Sequence, residues 1–122
     1  MPFNIHYNAE KHYLHVNVTG DMTLSAARQY LADVAVVLKE TGATRILIDA
    51  RKANQRLSSL DLMKVSQMVS ESAEAQCKRA LVDKPGRSGL SLFESVSRGR
   101  GQPIRGFNDL DEALDWLLSD QE

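Results

Sequence analysis

The chain has 122 residues, a formal net charge of −1, 43% hydrophobic and 25% charged residues, and a single cysteine. A domain of this length buries roughly two-thirds of the surface its unfolded chain exposes, and this composition excludes a disordered or collagen-like chain. Cys77 alone excludes an internal disulfide framework or a multi-cysteine zinc site.

The opening predicts a hairpin. Phe3, Ile5 and Tyr7 alternate with polar residues, as do Leu14, Val16 and Val18, with the polar link Asn8-Ala9-Glu10-Lys11 between them. Thr23 is placed to cap a helix whose face carries Leu24, Ala27, Leu31, Val34, Ala35 and Leu38 and which stops at Gly42. Arg45-Ile46-Leu47-Ile48-Asp49-Ala50 is a short apolar run without alternation, which suits a strand covered on both sides in a parallel sheet. Ser58-Ser59 then caps a second helix bearing Leu62, Val65, Val69 and Ala73. Ala80-Leu81-Val82-Asp83 is the next strand, closed by the turn signal Lys84-Pro85-Gly86. A helix around Leu90, Phe93 and Val96 runs to Gly99-Arg100-Gly101, and Pro103 to Phe107 reads as a last strand.

At the C-terminus, Asp109 with Glu112 three residues on resembles a capping box ahead of the stripe Ala113, Leu114, Trp116 and Leu117. Trp116 is expected to lay its ring against the sheet. The order is ββαβαβαβα in one α/β domain over residues 1–122, with a mostly parallel sheet and one antiparallel strand. No apolar run is long enough to span a bilayer, and the start lacks the basic and apolar stretches of a signal peptide, so a cytoplasmic protein is expected.

The near-neutral total is a cancellation. Residues 51–105 carry eleven basic and five acidic groups, whereas residues 106–122 carry six acids and no base. Arg51, Lys52 and Arg56 follow one strand, Lys84 and Arg87 the next, and all five are expected at the C-terminal end of the parallel strands, where α/β folds bind ligands. Arginines there suit an anionic ligand or an acidic partner, though solvated loops explain them more simply. Arg98 and Arg100 precede the last strand. Nucleic acid is not expected, since aromatic residues do not interleave with the basic ones.

Catalytic chemistry is not expected either. His12 and His15 are three apart in a strand region and point to opposite faces, so with His6 they do not converge as metal ligands. Cys77 lacks a neighbouring histidine or a second cysteine. Asp49 and Asp83 end successive strands, as a carboxylate pair or as loop caps. Neither GxGxxG nor GxxxxGK[ST] occurs, and no metal or cofactor is anticipated.

The strand end Ile48-Asp49, the segment Phe93-Glu94-x-x-x-Arg98-Gly99 and the closing Phe107-x-Asp109-x-x-Glu112-Ala113-Leu114-x-Trp116-Leu117 resemble the SpoIIAA-like branch of STAS domains over nearly the whole chain. The resemblance implies a non-catalytic regulatory domain acting by protein–protein interaction, its partner an anti-sigma-type kinase or a second copy. In anti-sigma-factor antagonists a serine in an Asp-Ser-Ser-Gly segment is phosphorylated. The gap-free match is Leu57-Ser58-Ser59-Leu60, so Ser59 corresponds to the phosphoacceptor while the flanking Asp and Gly are absent. The branch is also similar to CRAL-TRIO lipid-transfer domains. That similarity implies an alternative, binding of a small apolar or anionic ligand, with Leu57, Leu60, Met63 and Phe93 as pocket residues.

Overall fold

The computed structural model describes residues 2–86 and 88–119. The alternating segments at the start form β1 (Phe3–Asn8) and β2 (Tyr13–Val18), antiparallel, with Phe3 opposite Val18 and Asn8 opposite Tyr13. Asn8 builds the turn: its carbonyl accepts from the His12 N–H at 2.7 Å and its side chain from the Lys11 N–H at 2.9 Å. His12 closes it with a left-handed φ of 58°, a region where His is enriched among non-glycine residues.

A two-residue strand, β3 (Asp21–Met22), precedes α1 (Leu24–Thr41). Thr23 caps α1 by accepting from the Ala26 N–H, and Gly42 ends it with φ 72° and an N–H donated to the Leu38 carbonyl. β4 (Arg45–Asp49) runs parallel to β2, and β5 (Asn54–Gln55) pairs with β3 as a separate small sheet. After α2 (Ser59–Ser70) a 3₁₀ turn (Ala73–Gln76) leads to β6 (Lys78–Val82). Then come α3 (Ser88–Gly99), β7 (Ile104–Phe107) and α4 (Leu110–Leu118). The main sheet has the order β1-β2-β4-β6-β7, parallel except for β1.

This is the expected α/β architecture with three additions: β3, β5 and the 3₁₀ turn. β6 also starts two residues before Ala80. Its first two residues are charged, and tertiary contacts hold both. Lys78 Nζ donates to the carbonyls of Trp116 and Ser119 at the C-terminus of α4, where the helix dipole favours a cation. Arg79 points the other way and is fully buried.

Strand alternation divides the core. Leu14, Val16, Ile46, Ile48 and Leu81 face α1, α2 and α3, whereas Tyr13, Leu47, Ala80 and Val82 face α4. Ala113 and Leu117 are the buried contacts of α4. Trp116 does lie over sheet residues, but at the margin and half-buried: its ring is 5.7 Å from that of Phe107, with Lys78 Nζ 4.5 Å from its centre. At the far edge, Glu94 of α3 accepts from the Gly106 N–H of β7 at 2.8 Å. A Cβ at position 106 would stand 2.9 Å from a Glu94 oxygen, so a larger residue there would displace this carboxylate.

Candidate functional site

The C-terminal ends of β4 and β6 meet side by side, with Asp49 opposite Val82, and the loop from β4 to α2 spreads over that edge. Ser58 is the N-cap of α2. Its hydroxyl accepts from the Asp61 N–H at 3.1 Å, and the Asp61 carboxylate accepts from the Ser58 N–H at 3.2 Å, a complete capping box. Ser59, the first helical residue, is exposed and takes no part in the cap. Leu60 and Met63, on the same turn, are 64% and 46% exposed, unusual values for large apolar side chains.

The cations of this edge are not equivalent. Arg51 makes a bidentate pair with Asp49, at 2.9 Å from Nε and 2.7 Å from Nη2. Burial alone would raise the Asp49 pKa, but the hydrogen bonds and charge of Arg51 outweigh it and hold the carboxyl below its ordinary value. Arg51 is therefore neutralised locally. Lys52 is exposed, Arg56 stands 3.6 Å from Asp21, and Lys84 is exposed beyond β6. Arg87 lies outside the described residues. Asp49 and Asp83 are separated in role: the first is held by Arg51, and the second is buried with its backbone carbonyl accepting from the Asn108 side chain.

Beneath α2 lies a cavity of about 100 Å³, bounded by the sheet, α1 and α2. Leu57 and Phe93 line it as expected, whereas Leu60 and Met63 turn to solvent. Helical geometry explains the correction, since 60 and 63 share the face opposite Leu62, Val65 and Val69. Sequence reading missed its polar members. Tyr30 reaches in from α1 and Glu74 from the 3₁₀ turn. Glu74 accepts from Arg79 at 3.2 Å, and Arg79 also donates to Gln102. The available signal was the period of β6, which puts Arg79 on the same face as Leu81 and so demands a buried acid nearby.

Burial pushes the Glu74 carboxyl up, with Arg79 opposing, and the Tyr30 hydroxyl well above its ordinary value. Cys77, buried beside them, is raised to about 11, again by burial, so its thiol is not an activated nucleophile at neutral pH. On the hairpin, His6 and His15 are cross-strand partners, while His12 sits in the turn bonded to the Tyr7 hydroxyl. Among the described residues no group of three metal-ligating side chains converges, and no helix is long and apolar enough to cross a membrane.

No family model and no curated protein matches the chain. Solved structures do. An uncharacterized protein with a SpoIIAA-like fold from Shewanella loihica is 20% identical, with 94% of this chain and 91% of that one covered at a TM-score of 0.61. An anti-sigma factor antagonist from Mycobacterium paratuberculosis is 15% identical over 96% and 95% of the two chains, with a TM-score of 0.63. The anti-sigma factor antagonist SpoIIAA, in its unphosphorylated form, is 15% identical over 93% and 96%, with a TM-score of 0.60. The chain thus has a SpoIIAA-like fold.

Proposed function

We propose that the chain is a regulatory, non-catalytic protein–protein interaction domain of the cytoplasm, and that the first turn of α2 is its contact edge. The carrying observation is the exposed pair Leu60 and Met63 beside Ser59, on a helix start already rigidified by the Ser58–Asp61 box. Exposed apolar side chains on a fixed turn supply binding area without the cost of ordering a loop. Two of the similar structures are anti-sigma factor antagonists, one described by its phosphorylation state, which supports a partner of the kinase type.

Ser59 is the switch in this reading. Phosphate there would add about −1.5 to −2 charges at a helix N-terminus that accommodates them, with Lys52 and Arg56 framing the loop before it. The fold would persist while the contact surface changed sign. Ser58 is unsuited to that role, because modifying it would dismantle the cap.

The test is comparative capture. Immobilised wild-type protein should retain a specific partner from its own cell extract, identified by mass spectrometry. Ser59→Asp and Leu60→Asp should lose it while melting within a few degrees of wild type, whereas Ser59→Ala should keep it. Equal capture by all four proteins would sink the assignment of this edge.

A further inference from the structure

β1 is an outer strand of the main sheet, paired on one side only, with β2. One bond at its start fixes the phase of the free side. The Thr19 N–H donates to the Pro2 carbonyl at 2.7 Å, so these two residues form a hydrogen-bonded pair. In an antiparallel ladder such pairs alternate with open ones. Asn4, His6 and Asn8 therefore spend their backbone groups on Asn17, His15 and Tyr13, while Phe3, Ile5 and Tyr7 direct theirs out of the sheet. Among the described residues no turn, loop or side-chain bond reaches the backbone of those three. The strand also lacks Lys, Arg, Asp, Glu and Pro, the residues by which exposed strands commonly repel a neighbour.

We propose that β1 is a dimer interface, pairing antiparallel with β1 of a second copy about a twofold axis through Ile5. The strand is its own complement. Phe3-Asn4-Ile5-His6-Tyr7 reads aromatic, polar, aliphatic, polar, aromatic in either direction, as a self-paired isologous contact requires. The axis sets Ile5 against Ile5 and Phe3 against Tyr7, so all three outward residues enter hydrogen-bonded pairs with two bonds each. No other axis does this. Centred on His6, Phe3 would meet Ala9 in the turn; centred on Asn4, Tyr7 would meet residue 1, outside the strand.

Side chains agree with the register. On the helix-covered face Ile5 and Tyr7 are only partly buried within one chain, and Ile5 and Phe3 of the second copy complete their apolar cover. On the opposite face the exposed Asn4 stands against the exposed His6 of the second copy, so no like residues are opposed there. The inference does not rest on the contact edge at α2, which belongs to a different part of the surface.

The whole chain is sedimented over a concentration series, and amide exchange in β1 is followed by NMR. Wild type should reach the mass of two chains, with the Phe3, Ile5 and Tyr7 amides becoming protected as it does. Asn4, His6 and Asn8 should be protected at every concentration. Ile5→Pro removes an outward N–H and no bond to β2, and should stay monomeric. Asn4→Lys combined with His6→Lys opposes like charges at exposed positions, and should stay monomeric while melting as wild type does. Leu60→Asp, at α2, should leave the dimer intact. With oxidised glutathione, an Asn4→Cys chain mixed with a His6→Cys chain should cross-link faster than either alone, because position 4 meets position 6 within disulfide reach; Cys77 is buried. The proposal is overturned if wild type remains monomeric up to about 1 mM, if the lysine pair leaves the dimer intact, or if Leu60→Asp dissolves it. Cross-linking as fast in either chain alone as in the mixture would overturn it, as would outward amides protected only by a different protein.

Discussion

On the α4 side of the sheet, Leu47, Ala80 and Val82 meet Ala113 and Leu117, all essentially without solvent exposure, and the charged groups Asp49, Arg51 and Lys78 stand at the margin in partnership. Asp49 holds Arg51 there, and Lys78 holds the end of α4. On the opposite side three helices enclose a larger core, yet its interior contains a cavity and a buried acid–base pair with unfilled valences. One face is packed to stabilise. The other leaves space and polar groups inside, at a cost in stability that a purely structural core avoids.

Arg79→Ala should give the largest effect, because it leaves Glu74 buried and uncompensated. A loss of about 3–5 kcal/mol is expected in denaturant unfolding, and the double change Arg79→Met with Glu74→Leu should recover most of it. If the single and double variants were equally unstable, the pair would be a packing element and the contrast between the faces would weaken.

Adding methyl groups to each face sharpens the comparison. Ala80→Val places them in the closed α4 layer, in a strand that favours β-branched residues, so any loss reports overpacking. About 1–3 kcal/mol is expected. Ala53→Val sends them into the cavity and should cost less than about 1 kcal/mol. Equal losses at the two positions, measured by thermal melts, would show the cavity to be too small to matter.

The smallest effect concerns pH and the α4 margin. Burial lowers the His15 pKa below its ordinary 6.5, the nearby Asp49 only partly opposing it. The unfolded chain then binds a proton that the folded chain resists, so His15 costs stability as pH falls through about 6.5. His15→Gln should flatten the stability profile between pH 7 and 5. Asp49 acts lower down: its folded pKa is depressed, so its contribution persists above the unfolded value and disappears as pH falls through the folded one. A profile for His15→Gln that still tracks wild type between pH 7 and 5 would place the ring in open solvent.

Periodicity and capping made most of the fold legible. Hairpin alternation, the unbroken run at β4, and the capped stripes of α1 and α4 each carry a local physical signature in consecutive residues. β3 and β5 carry none, because a two-residue bridge is created by the approach of distant segments. Lys78 and Arg79 fell outside the expected strand for the same reason: only α4 and Glu74 supply the partners that hold their charges in β6. At the start of α2, Ser58 and Ser59 could be located but not told apart, since one register step decides which hydroxyl closes the cap. The cavity was half visible. Leu57 and Phe93 were named through the resemblance to lipid-transfer domains, whereas Tyr30 and Glu74 enter from separate elements that only tertiary structure brings together.

The Glu94–Gly106 contact bears on how the protein behaves in a crowd of its own kind. β7 borders the main sheet, and a border strand offers free amides on which a neighbouring chain can add itself, the first step toward aggregates. The Glu94 carboxylate already occupies the Gly106 amide, and it brings a negative charge to the seam an incoming strand would have to enter. Glycine permits the close approach, and the acid takes the vacancy that approach creates. The β7 border is thereby blunted at this amide by a group from within the chain.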